Sequence, residues 1–176
     1  LHCSSAASDV YKRQEYYKTE ELFHIINRSS EILEVEIDSE GAMELASRSR
    51  GTPRIANRIL RRARDYAEVK AKGKINLDVA KASLEKLGID EIGLDEMDRK
   101  ILRVIIEQFS GGPVGLKSLA VAVGEDSTPI EDVYEPFLIK EGMIMRTSRG
   151  RLAQDSAYDL LGIKKTKDQQ RLFNDK

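Results

Sequence analysis

Apolar residues recur along this chain at helical spacing in short runs, each closed by glycine or proline, and the spacing turns to that of a strand only once, after Gly142. This pattern constrains the fold more than any bulk property. It requires several small helices with brief connections and one late hairpin, and it excludes a large sheet. Composition agrees: aromatics are 6% of residues and tryptophan is absent, so cores are built from Leu, Ile, Val and Ala, which suits small helical bundles.

Thr19 is placed to cap a helix running through Leu22, Phe23, Ile25 and Ile26 to about Ser29, with acids in its first turn. A second helix starts after Ser39, carries Ala42, Met43, Leu45 and Ala46, and ends near Gly51. Thr52 then offers an N-cap and Pro53 occupies the first helical position, where its missing N–H costs nothing. The stripe Ile55, Ile59, Leu60, Ala63, Tyr66, Ala67 extends to about Val69, and Gly73 ends it. Asn76 caps a fourth helix whose inward residues are Val79, Ala80, Ala82, Leu84 and Leu87 before Gly88.

After an acidic linker at 89–94 the pattern restarts. A helix from about Asp95 carries Met97, Ile101, Leu102, Ile105 and Ile106 up to the break Gly111-Gly112-Pro113. A short helix with Leu116, Leu119, Ala120 and Val123 ends at Gly124. Thr128-Pro129-Ile130-Glu131 reads as a capping box opening a third helix, in which Pro136 should cause a kink or end the regular hydrogen bonding. Residues 143–147 and 151–153 then flank a Ser148-Arg149-Gly150 turn as a β-hairpin, and a short helix with Tyr158, Leu160 and Leu161 follows. Three helices and a hairpin is the layout of a winged helix-turn-helix.

The net charge of −1 hides an uneven distribution. Residues 48–74 hold ten Lys or Arg against Asp65 and Glu68, a local +8, which suits phosphate, DNA or an acidic partner, or a solvated basic helix face. Cys3 is the only cysteine, so no disulfide framework is possible. No apolar run approaches the roughly 20 residues that span a bilayer, no signal peptide is visible, and a cytoplasmic location is expected. One Cys with His2 and His24 cannot make a metal site, and no catalytic constellation or Gly-x-x-x-x-Gly-Lys-Ser/Thr phosphate loop is present. No catalytic residues are therefore assigned.

Arginine is positioned at two places. In Gly51-Thr52-Pro53-Arg54, an arginine in the first helical turn can reach a phosphate that approaches the helix N-terminus, or can simply lie on the surface. At the hairpin, Arg146, Arg149 and Arg151 have no acid between them and suit contact with a DNA backbone, although a charged strand edge has the same appearance.

The segments RSRGTPRIANRILRRARDYAEVK (48–70), GLDEMDRKILRVIIEQFSGGPVGL (93–116) and IEDVYEPFLIKEGMIMRTSRGR (130–151) resemble the RuvB family, hexameric AAA+ motors that drive Holliday-junction branch migration in bacteria. The resemblance runs from Glu15 to about Lys164. It implies a mainly α fold, an AAA+ small (lid) domain over 15–91 followed by a winged-helix head domain with a β-hairpin wing over 92–164, with tails at 1–14 and 165–176. It further implies that Arg54 is the sensor-2 arginine contacting nucleotide phosphates beside Pro53, that Tyr17 lines the nucleotide pocket, and that Arg146 and Arg151 contact DNA with Arg149 between them. Ser127 departs from the family, standing where some members have another DNA-contacting arginine. ATP with Mg2+ is the implied cofactor. The implied partners are Holliday-junction or duplex DNA, a RuvA-type tetramer, a RuvC-type resolvase and further copies in a homohexamer, with no membrane.

The family's ATPase core should precede Glu15, where the sequence has instead LHCSSAASDVYKRQ, a stretch without apolar period that is expected to be a non-native or disordered tail. The chain is thus expected to be a C-terminal part, inactive in ATP hydrolysis on its own. Two other readings compete: a winged-helix transcription regulator, and an assembly domain docking through the basic helix at 53–70. Glu131, Asp132 and Glu135 argue against the regulator, because they would meet the negatively charged major groove.

Overall fold

The computed structural model describes residues 16–165; the tail expected at 1–14 and most of that expected at 165–176 lie outside them. The chain divides into two compact units, residues 1–83 and 84–176, a boundary that falls inside a helix.

In the first unit, α1 (Thr19–Ile32), α2 (Ser39–Ser47) and α3 (Pro53–Lys70) pack around Leu22, Ile26, Leu45, Ile59, Leu60, Ala63 and Ala67, all buried. The start of α4 (Leu77–Lys86) adds Ala80. Thr19 is the first helical residue rather than the cap, which falls to Lys18, whose backbone N–H donates to the Glu21 carboxylate at 2.8 Å. Asp38 caps α2 by accepting from the Gly41 N–H at 2.7 Å, and Asn76 caps α4 by accepting from the Val79 N–H at 2.9 Å. Met43 points outward. Two strands that no periodicity announced, β1 (Glu36–Ile37) and β2 (Lys74–Ile75), pair in parallel. Across them the Lys74 ammonium donates to Glu36 at 2.7 Å, and that carboxylate raises the Lys74 pKa above its ordinary value.

In the second unit, α5 (Glu96–Glu107), α6 (Leu116–Val123), the stretch 127–140, the hairpin and α9 (Asp155–Leu161) enclose one core that includes Leu94, Ile101, Leu102, Ile105, Leu119, Phe137, Leu138, Ile144 and Tyr158. Asp95 caps α5 reciprocally with Asp98: the Asp95 carboxylate accepts from the Met97 and Asp98 N–H groups, and Asp98 accepts from the Asp95 N–H at 2.8 Å.

The expected third helix is not opened by Thr128, and of a kink or an end to regular hydrogen bonding at Pro136 it has the second. It begins at Ser127 as α7 (Ser127–Pro129), passes through a π-helical turn (Ile130–Tyr134) and continues as α8 (Glu135–Lys140). The physical reason is Pro136. It cannot donate, and its ring crowds the preceding turn. The helix widens just ahead of it, so that the Glu135 N–H donates to the carbonyl of Ile130, five residues back. The hairpin pairs β3 (Ile144–Thr147) with β4 (Gly150–Ala153), and its turn is Ser148-Arg149, one residue shorter than expected. That residue sets the register and places Arg146 directly opposite Arg151.

Candidate functional site

At the start of α3 the backbone turns through two successive left-handed residues, Arg50 (φ 56°) and Gly51 (φ 71°). The segment before α1 is strapped across this turn. The Tyr17 N–H donates to the Gly51 carbonyl at 2.9 Å, and a Cβ on Gly51 would stand 2.8 Å from the Cβ of Tyr16. Only glycine serves here, for both its conformation and its lack of a side chain. Thr52 is extended and occupies the cap position, but its hydroxyl makes no capping bond; its N–H donates to the Ser49 carbonyl at 2.9 Å. Pro53 opens the helix and Arg54 follows it, exposed. Tyr17, whose backbone is held at this end of α3, is 47% exposed.

The three sequence candidates of the first unit, Tyr17, Pro53 and Arg54, therefore converge on one helix end. Beyond it, Arg58, Arg61 and Arg62 are also exposed, whereas Arg64 on a neighbouring face is paired with Asp65 at 3.0 Å and Glu68 at 3.6 Å. Arg50, which spacing did not single out, is buried in the turn. This end of α3 has the chemistry of a phosphate reader: a guanidinium fork beside the first turn of a long helix.

In the second unit the three wing arginines have different surroundings. Arg149, at the two-residue tip, is exposed and makes no ion pair among the described residues. Arg146 is exposed on β3; its Nη2 donates to Glu131 Oε1 at 2.7 Å and its Nε lies 3.7 Å from Glu135 Oε1. Arg151 is 7% exposed, and its Nε and Nη2 donate to one oxygen of the buried Glu135 at 2.9 and 2.7 Å. The same Arg151 Nη2 lies 3.6 Å from Glu131.

Two arginines directly opposite each other on a hairpin repel. Glu131 and Glu135, on the helical stretch behind the wing, supply the two negative charges that make the register tolerable. In the sequence these acids stand out only as obstacles to a groove-reading helix. They lie fifteen and sixteen residues from their partners, so only the hairpin register reveals the pairing. Arg151 is also a backbone node: its N–H donates to the Val114 carbonyl at 2.8 Å and its carbonyl accepts from the Val114 N–H at 2.9 Å. The wing is thereby tied both to the segment entering α6 and to the start of α8. Its tip arginine is mounted on a braced hairpin.

Among the described residues no group of His, Cys, Asp and Glu could hold a metal ion, and no helix is long and apolar enough to cross a membrane.

A family model described as the RuvB AAA lid domain matches residues 17–90, and one described as the RuvB C-terminal winged helix domain matches residues 91–162. The Holliday junction branch migration complex subunit RuvB of Flavobacterium johnsoniae is 56% identical over 164 residues, covering 93% of this chain and 48% of that protein. Among solved structures, the Thermotoga maritima RuvB Holliday junction branch migration motor matches with a TM-score of 0.80 at 45% identity, over 85% of this chain and 50% of that one. A variant of the same protein matches with a TM-score of 0.79 over the same shares. The chain spans about half the length of the relatives it matches.

Proposed function

Because this chain belongs to the RuvB family, we propose that it supplies the nucleotide-sensing lid and the DNA-touching head of an ATP-dependent branch-migration motor acting on Holliday junctions. In this reading the homohexamer works beside a RuvA-type junction-binding tetramer and a RuvC-type resolvase.

Arg54 reaches the nucleotide phosphates from the lid, Pro53 sets the first turn that aims it, and Tyr17 packs against the nucleotide. The donor set fits the anionic end of a nucleotide, since Arg54 is exposed in the first turn of α3 beside the half-exposed Tyr17. Among the described residues no group of three or more His, Cys, Asp and Glu could hold a metal ion, so the ligands of a magnesium ion bound with the nucleotide are sought outside them. ATP, when bound, supplies the change in phosphate charge that the lid senses. Arg54 holds that charge while it is present and loses its partner when it leaves. In a full-length relative, alanine at the position of Arg54 is expected to lower kcat for ATP by roughly ten- to a hundred-fold, the worth of one hydrogen bond to a charged group. Unchanged turnover and unchanged branch migration would remove the role given to Arg54.

For the head, the observation that carries the reading is the exposed Arg149 at the tip of a hairpin braced from behind by the Arg151–Glu135 pair. Such a tip suits phosphates of either strand without reading bases. Duplex binding by the full chain, followed by fluorescence anisotropy over a salt series, tests it. Arg149→Ala is expected to weaken binding roughly five- to tenfold at low salt and to flatten the plot of log K against log salt by about one unit. Equal affinity and equal slope in the variant would sink the assignment.

A further inference from the structure

The wing's two counterions are not equivalent. Glu135 is 2% exposed and shares the interior with Arg151. The Glu131–Arg146 pair lies open to water, with side-chain exposures of 37% and 47%. A buried pair cannot exchange partners without leaving a charge stranded, whereas an exposed pair is worth at most about 1 kcal/mol and exchanges readily. We propose that Glu131 is a built-in competitor for the DNA phosphate: it holds Arg146 in the free head, a phosphate takes Arg146 from it on binding, and Glu131 thereby sets the strength and salt dependence of the wing's grip.

The inference rests on the reading of the wing as the DNA contact. Its physical consequence lies in counterions. An arginine meeting a phosphate releases a cation from the duplex. When that arginine first leaves a carboxylate, the freed carboxylate recruits a cation of its own, and the net release is close to zero. Arg146 therefore adds contact without adding salt dependence, and Glu131 keeps only its longer contact with Arg151, 3.6 Å against the 2.7 Å it had to Arg146. The part of its charge left uncompensated opposes the wing's grip.

The test is a double-mutant cycle in the full chain against a short mixed-sequence duplex, with Glu131→Gln, Arg146→Ala and the two combined, each over a salt series. Glu131→Gln keeps the side-chain shape and is half-exposed, so its thermal unfolding is expected to match the parent. It is expected to bind about threefold tighter at low salt, the scale of an exposed ion pair, and to steepen the salt plot by about one unit. In the Arg146→Ala background both effects are expected to vanish. Unchanged or weaker binding by Glu131→Gln overturns the proposal, as does an equal gain with and without Arg146, which would mean simple relief of repulsion. If Arg146→Ala and Arg149→Ala both bind as the parent does, the wing reading falls and takes this inference with it. If they bind more weakly while Glu131→Gln changes nothing, this inference alone falls.

Discussion

Glu135→Ala is expected to destabilise the winged-helix unit by about 3–5 kcal/mol, the cost of stranding a buried charge. Arg151 would keep its buried position while losing the oxygen that accepts both of its hydrogen bonds. The half-exposed Glu131, 3.6 Å from Arg151 and closer to Arg146, offers only a longer, solvent-screened partner in its place. For a unit of this size the loss corresponds to a fall in Tm of roughly 15–30 °C, measurable by thermal unfolding of the full chain. The cross-strand pairing of Arg146 with Arg151 makes the effect larger than that of an isolated pair, since the carboxylate also screens two like charges. Replacing both partners, Glu135→Leu with Arg151→Met, is expected to recover most of the stability, because an apolar pair of similar volume carries no desolvation penalty. A Glu135→Ala variant that melts within about two degrees of the parent would show that the pair does not brace the wing.

The parts of the fold legible in the sequence are those written in local chemistry. Pro53 marks the start of α3, Asn76 caps α4, Asp95 caps α5 and Gly124 takes the left-handed conformation after α6. Each acts within a few residues of the feature it signals. What was hidden depends on partners far along the chain. The strands β1 and β2 are two residues each and pair Glu36 with Lys74 across 38 positions, too short for any period to show. The π turn was visible only as a kink or an end to regular hydrogen bonding at Pro136; nothing local to the proline says that the helix widens there. At the candidate sites the arginines stood out by type and spacing. Their roles separated only once a turn one residue shorter than expected set Arg146 against Arg151, and α8 brought Glu135 beneath them.

Gly150→Ala is expected to cost on the order of 3 kcal/mol, whereas Gly124→Ala, also at a positive φ, is expected to cost about 1 kcal/mol. Gly124 (φ 74°, ψ 38°) lies in the left-handed helical basin that other residues enter at modest cost, whereas φ 135° at Gly150 suits essentially glycine alone. Surroundings widen the difference. A Cβ on Gly124 meets nothing within 4 Å. A Cβ on Gly150 would stand 2.5 Å from the carbonyl carbon of Val114, closer still to its oxygen, and 3.0 Å from the Gly115 nitrogen, all backbone atoms that cannot rotate aside. The only relief is to push residues 114–115 away from β4, which breaks the paired Val114–Arg151 hydrogen bonds at 2.8 and 2.9 Å. Gly112, whose Cβ would press on the Arg151 carbonyl from the same loop, closes off the alternative movement. Moving β4 also drags the Arg151 guanidinium off Glu135, so the damage at the glycine spreads to the buried pair. Thermal unfolding of the two alanine variants, run side by side, gives the comparison. Equal shifts in Tm would mean that the bridge from Val114 to Arg151 is not what holds the wing in place.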